Sequence, residues 1–440
     1  MSRNTSFLLF LLAALSQTQV RLVGSIGISE AVVFIIAPMV YIQDRMLLRK
    51  HGFTMVLNLA LLSCVGCVLS SWYNHTIFAN ALRGFATCYS LFAMPVVLHR
   101  LLWRNLNGFR WFLVGFAVSG LLTLFGMQTG VESAIAERLE GGASESDLYF
   151  GRHFGPWFSL PLKAFYFQTP TPVALLLSLV PSIYMITTSA TGRSALLTVL
   201  GGAMLVIFVH RKRSQMVKMQ KHILFFAALG FIIALSLGTA YKVASKKGWL
   251  NEKAQAKYES QAKDEKGGLL KLLMHGRSEF FIAVYACCDE PIFGFGPWPV
   301  DRKGIVEEFL RKYGDAEAYE DYIERKMYLA QRGVVGNLIP GHSHIMTNWL
   351  CYGILGLPFW LYVLYLMVEL FRKHLAAIPQ WFGYFAVELT GMLWHVFFSP
   401  FSGRVQTSFF ITCVLLAIAV GRGKIMLPPK MMMEAGKYDR

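Results

Sequence analysis

Three basic or imidazole groups in this chain stand where chemistry on an anionic substrate could be done. Arg193 lies in Ser189-Ala-Thr-Gly-Arg-Ser194, at the head of a long apolar run. Arg277 lies in His275-Gly-Arg-Ser278, within the apolar-faced stretch Leu269–Cys288. His342-Ser343-His344 follows Pro340-Gly341 and opens another apolar run at Ile345. Two guanidinium forks can chelate a pyrophosphate through charge-assisted bidentate bonds. Helix N-termini at Ser194 and Ile345 would add amide donors and positive dipole ends. An imidazole, with an unperturbed pKa of about 6.5, is mostly neutral at pH 7 and can accept a proton. Asp289 and Glu290, just before Pro291, are carboxylates of second rank for the same task. Residues of these types can bind a diphosphate and accept a proton.

Plainer readings compete with each motif. An Arg at the edge of a bilayer also serves as an anchor that snorkels to the interface. His-x-His is a weak metal pattern when no third ligand stands at a telling spacing. Gly294-Phe-Gly296 runs into Pro297 and does not open a helix after a strand, so it reads as a tight turn rather than a dinucleotide fingerprint. The chain contains no GxxxxGK[ST] motif, which argues against an ATP-driven pump. Its seven Cys are an odd number, several inside apolar runs, so they imply no disulfide framework. Cys64-x-x-Cys67 and the vicinal Cys287 and Cys288 read as packing.

The elements that must position these groups are membrane helices. The chain is 55% hydrophobic with a mean hydropathy of +0.46, more apolar surface than so few charges could cover in water. A span needs roughly 20 apolar residues. Candidate spans are Phe7–Val23, Gly27–Ile42, Phe53–Trp72, Phe78–Leu98, Trp111–Met127, Pro172–Thr187, Ser194–Val209, Ile223–Tyr241, Ile345–Leu370, Trp381–Phe398 and Val405–Val420. The expected class is all-α, a polytopic membrane protein of about 11–12 transmembrane helices.

Charge orients them. The net charge is +16, but the segment 244–341 holds 15 of the 42 Lys and Arg and 15 of the 26 Asp and Glu. The remainder carries 27 basic against 11 acidic residues, mostly at the ends of apolar runs. Arg45, Arg49 and Lys50, then Arg100, Arg104 and Arg110, then Arg211-Lys-Arg213, then Arg372 and Lys373, and finally the tail from Arg422, can all face the cytoplasm together. Residues basic in this pattern, rather than gathered on one water-exposed face, exclude nucleic acid as a partner. Three regions follow: N-terminal membrane helices over 1–243, a neutral outer domain over 244–341, and C-terminal membrane helices with a basic tail over 342–440. An acidic patch over 128–168 also reads as outside, so 157–187 must hold a second crossing or a broken, Pro-rich hairpin. In the outer domain, Ile305, Phe309 and Tyr313 recur at helical spacing.

The order of the pieces carries a resemblance. Thr191-Gly-Arg193 is followed by a span, a basic connector, another span and a large outer segment. That segment holds Gly276-Arg277, Pro291-Ile-Phe-Gly294-Phe-Gly296 and, at its end, His342; the next helix reads Trp349-Leu-Cys-Tyr-Gly353-Ile-Leu-Gly356-Leu. Over roughly residues 170–370 this resembles the O-antigen ligase and O-antigen polymerase superfamily of bacterial membrane glycosyltransferases. The chain has Gly192-Arg193 where that family often has Ser-Arg, and His342-Ser343 where it often has His-Asn.

The resemblance implies a GT-C-like membrane fold in the bacterial inner membrane, with an active site facing the periplasm. It implies transfer of a glycan from undecaprenyl diphosphate to an acceptor hydroxyl of lipid A-core or a similar glycan, with no cofactor, nucleotide sugar or metal. Arg193 and Arg277 would bind the diphosphate and stabilise it as it leaves. His342 would orient or deprotonate the acceptor for direct, inverting attack. His344, Ser343 and Glu290 would line the substrate, with Glu290 as the base if His342 only positions. A polymerase of the same superfamily, a protein O-glycosylating relative, and a transporter or flippase of lipid-linked sugars remain as alternatives. The transporter would want charge deep in the spans, for which Glu30, Glu369 and Glu388 are the candidates.

Overall fold

The computed structural model describes residues 2–16, 18–21, 25–124, 278–313, 338–375, 381–399 and 404–427, with isolated positions between them. Arg193, Arg277, the acidic patch over 128–168 and the spans expected across 172–241 fall wholly or almost wholly outside the described residues.

The order of elements is helix α1 (Ser2–Ala14), a small hairpin of β1 (Gln19–Arg21) and β2 (Ser25–Gly27), then α2 (Ile28–His51), α3 (Thr54–Tyr73), α4 (Phe78–Leu102) and α5 (Gly108–Leu124). After the middle of the chain come α6 (Ser278–Asp289), α7 (Ile305–Tyr313), α8 (His344–Tyr352), α9 (Leu357–Glu369), α10 (Phe382–Phe398) and α11 (Arg404–Gly421). Five described helical segments are long and apolar enough to cross a membrane: α2, α3, α4, the run His344–His374 and α11. The chain is an all-α membrane protein.

Two boundaries differ from the sequence expectation for simple reasons. The first apolar run predicts a span over Phe7–Val23, yet α1 ends at Ala14. The polar run Ser16-Gln-Thr-Gln19 stops it, and β1 turns back on β2 with Gln19 opposite Gly27. Thirteen residues at 1.5 Å each reach only about 20 Å, short of the bilayer core. Conversely, α2 does not end before its basic residues. Arg49, Lys50 and His51 form its last turn, where positive charge suits the helix C-terminus, and Gly52 closes it at φ 88°.

Helix α4 is the central strut, packing on α2, α3 and α11, while α1 lies along α5. Its fully buried residues include Ala93, Met94, Val96 and Leu98. Polar pairs close both ends of the bundle. At the end carrying the basic connectors, Arg100 meets Asp44 at 3.1 Å, the buried His51 Nδ1 and His99 Nε2 lie 2.8 Å apart, and Arg422 pairs with Glu369. At the opposite end, the buried Glu30 meets Arg404 at 2.9 Å and also accepts from the Gly27 amide, tying the start of α2 to the start of α11. Between the two ends, Cys64 and Cys67 gather with Cys88, Cys351 and Tyr352 in a buried cluster, so the sequence-distant Cys88 and Cys351 join the CxxC pair in space.

The longest span is broken. α8 stops at Tyr352, a tight turn covers Gly353–Gly356, and α9 resumes with Pro358 in its first turn. Gly353 sits at φ 65°, in the left-handed region. The break frees backbone groups that lipid could not satisfy. A loop before α7 takes them: Phe295 N–H donates to Leu350 O at 2.7 Å, and Ile354 N–H donates to Ile292 O at 3.1 Å. Ser70 on α3 donates to Cys351 O at 2.8 Å. A Cβ on Gly353 would overlap the Ile292 carbonyl. Gly353→Ala therefore combines left-handed strain with a steric overlap, and should cost about 2–3 kcal/mol. A lowered SDS-unfolding midpoint of the purified protein checks this.

Candidate functional site

The described part of the site is built where α6, the loop 289–304 and the start of α8 meet the turn between α3 and α4. That turn belongs to the end of the bundle opposite the basic connectors. Asn74 Nδ2 donates to Gly294 O at 2.9 Å, Arg302 donates to Asn74 O at 3.2 Å, and Tyr73 stacks on Phe293 with centroids 4.6 Å apart. Trp349 Nε1 donates to Pro291 O at 2.9 Å, a further tie between α8 and this loop.

Helix α7 forms at the spacing expected from Ile305, Phe309 and Tyr313. Its start is capped by Asp301, whose two carboxylate oxygens accept from Ile305 N at 2.7 Å and Val306 N at 2.9 Å. Glu307 and Glu308 stand in its first turn, Arg311 and Lys312 in its last, as the helix dipole favours. Ile305, Val306, Phe309 and Leu310 bury against Ile282, Ala286 and Cys287 of α6. The apolar stripe therefore faces α6 rather than a membrane surface.

His342 is the accessible histidine of the doublet. Its side chain is 41% exposed, and its Nδ1 lies 3.6 Å from Oε2 of Glu279, in the first turn of α6. That is a little beyond hydrogen-bond length, and among the described residues Nδ1 has no hydrogen-bond partner. Catalytic hydrogen bonds are often long before substrate arrives. A carboxylate in this place can orient the ring and stabilise the imidazolium that forms when it takes a proton, the role the third member of a hydrolytic triad plays. Sequence reasoning missed Glu279, since 62 residues lie between it and His342 and no local spacing connects them.

His344 faces the other way. It is 2% exposed, its Nδ1 donates to Ser399 O at 2.9 Å, and its ring lies edge-on to Trp360 at 4.7 Å and Phe401 at 5.1 Å. The two rings do not converge on a shared ligand. Ser343, between them, is fully buried: its hydroxyl donates to Val396 O at 2.7 Å and accepts from Met346 N at 3.2 Å as the N-cap of α8. The structure thus separates three neighbours into an open imidazole, a helix cap and a core imidazole.

Glu290 and Asp289 stand at the far end of α6, about 16 Å along the helix from Glu279. Both clamp Lys303, at 2.6 and 2.7 Å. The hydrogen bonds that Lys303 donates to Asp289 and then Glu290 hold its ammonium above the usual lysine pKa. Glu290 is engaged there rather than at His342. Of the carboxylates considered for a transport pathway, Glu30 and Glu369 are held in ion pairs at opposite ends of the bundle, and Glu388 is buried in α10.

No family model and no curated protein matches the chain. The functional reading therefore rests on the residues themselves.

Ser343→Ala removes a cap and leaves the buried Val396 carbonyl without its donor. It should cost about 1–2 kcal/mol of stability. The effect belongs in unfolding midpoints, with His342 still reactive toward diethylpyrocarbonate while His344 remains protected in both proteins.

Proposed function

We propose that this protein is a multi-pass glycosyltransferase of O-antigen ligase type in a bacterial inner membrane. It takes a glycan from undecaprenyl diphosphate on the periplasmic face and passes it to an acceptor hydroxyl of lipid A-core or a similar glycan. The observation that carries the reading is the pairing of an open His342 with Glu279 at the mouth of a membrane helix. This pairing sits at the end of the bundle away from the basic connectors, which the positive-inside tendency assigns to the cytoplasm. An exposed imidazole backed by a carboxylate is the arrangement that direct attack by a hydroxyl needs.

In this reading the acceptor hydroxyl gives its proton to His342 as its oxygen bonds to the anomeric carbon. The bond from that carbon to the diphosphate oxygen breaks on the opposite face, so configuration inverts. The lipid diphosphate departs with the electron pair, its charge countered by Arg193 and Arg277. Glu279 holds the imidazole in register and stabilises its protonated form.

The test is transfer in liposomes from an undecaprenyl-diphosphate oligosaccharide to an envelope acceptor, without nucleotide or added metal. Wild type should form product. His342→Ala should lose about 10²–10⁴-fold in rate, the usual share of general acid–base catalysis. Glu279→Gln should lose roughly tenfold with the acceptor KM little changed. A product ladder from one repeat unit would make it a polymerase. A folded wild type that transfers nothing across several donors, while Glu388→Gln abolishes its function in cells, would replace the enzyme with a transporter.

A further inference from the structure

Among the described residues only His75 and Trp298 combine a left-handed φ with a Cβ, and Trp298, at 57°, is the bulkier. A large aromatic residue in that region is an outlier held by its surroundings at a cost. The surroundings are on either side of it. Gly294 and Gly296 turn the chain at φ 65° and 80°. Pro297 seats against Gly84 of α4 so closely that a Cβ there would overlap the ring. Pro299 O accepts from Ile339 N at 2.8 Å, and Val300 bridges Leu338 in antiparallel fashion. The segment Gly294–Val300 is thus fixed at both ends, with Trp298 projecting between.

None of these contacts uses the indole. It remains 43% exposed, with the Arg83 guanidinium over the ring, 5.6 Å from its centroid. The Val300–Leu338 bridge and the Ile339-to-Pro299 hydrogen bond join this segment to the stretch of chain that leads into His342. The strained backbone therefore holds an open aromatic ring, with a cation over it, on a segment joined to the one that leads into His342.

We infer that Trp298 is a stacking platform for a pyranose ring of the acceptor glycan, with Arg83 donating to that sugar's hydroxyls or acidic substituents. The C–H face of a pyranose is apolar and slightly positive at hydrogen. It matches the negative face of an indole, while the rim hydroxyls need donors of the kind a guanidinium supplies. The inference deepens the glycosyl-transfer reading and rests on it for the identity of the sugar as acceptor. It assigns the positioning of the acceptor hydroxyl toward His342 to Trp298.

The experiment uses the full chain in nanodiscs and deacylated core oligosaccharide as the soluble probe, with binding read by saturation-transfer NMR and transfer measured in parallel. Trp298→Gly is the decisive variant, because glycine adopts the left-handed backbone without strain. Its unfolding temperature should equal or exceed that of wild type while glycan affinity falls at least tenfold. Trp298→Phe should keep part of the affinity, and His342→Ala should lose far less affinity than Trp298→Gly while losing transfer. Unchanged affinity in Trp298→Gly overturns the platform, as does a wild type that binds no glycan. A lowered unfolding temperature in Trp298→Gly with unchanged acceptor KM also overturns it, by making the indole a packing or interface residue. Binding that depends on Trp298 without any transfer by wild type leaves the platform standing and removes the transferase reading instead.

Discussion

The break in the longest membrane helix is the constraint on which the described site depends. A continuous helix satisfies its own backbone; a broken one exposes carbonyls and amides that cost several kcal/mol each in hydrocarbon if left bare. Here the amide of Ile354 and the carbonyls of Leu350 and Cys351 are taken by Ile292 O, Phe295 N and Ser70 Oγ. The loop and the break therefore stabilise each other. Neither Gly294 nor Gly353 tolerates a side chain, because each lies at positive φ with the partner's backbone against it. The consequence for function is positional. Residues 291–300 cannot shift without uncovering the break, so Trp298 and, through the Val300–Leu338 bridge, the approach to His342 are fixed relative to the bundle.

The two ends of the bundle are stabilised differently, and this bears on where chemistry can occur. At the basic end, His51 with His99 and Glu369 with Arg422 and His374 fill the spaces between helix ends with paired polar groups. A buried pair of this kind restricts geometry more than it adds stability. At the other end, Glu30 and Arg404 join α2 to α11, but the region around α6 and α8 leaves His342, Glu279 and Trp298 partly open.

Much of this was legible in the sequence, for identifiable reasons. The spans α3, α4 and α11 announce themselves by apolar length, and α7 by Ile305, Phe309 and Tyr313 at helical spacing. The hairpin after α1 was hidden because Val20, Leu22, Val23 and Ile26 continue the apolar composition across a change of period. The break at Gly353–Gly356 was visible as glycines but not as a break, since its partner lies some 60 residues earlier. Glu279 was invisible for the same reason. A contact between two elements distant in sequence leaves no periodicity, and neither residue type is unusual where it stands. Trp298 between two prolines carried a cue only in hindsight of its backbone angle.

The doublet of histidines shows how one small residue sets three different environments along three positions. Ser343 sits in extended backbone at φ −159° and ψ 137°, with Met346 N donating to its hydroxyl, so helical geometry begins at His344. That side chain then points down onto the bundle, where Trp360, Phe401 and the Ser399 carbonyl receive it. His342 falls before the cap and stays outside the helix, toward Glu279. Moving the cap by one residue would exchange these environments and bury the other imidazole among aromatic rings, where a charged form is costly. The bond from Ser343 to Val396 O prevents that shift, because a displaced cap would also leave a buried carbonyl unsatisfied. Which of the two histidines stays open is thus decided by the hydrogen-bonding needs of a helix terminus, not by the chemistry of either ring.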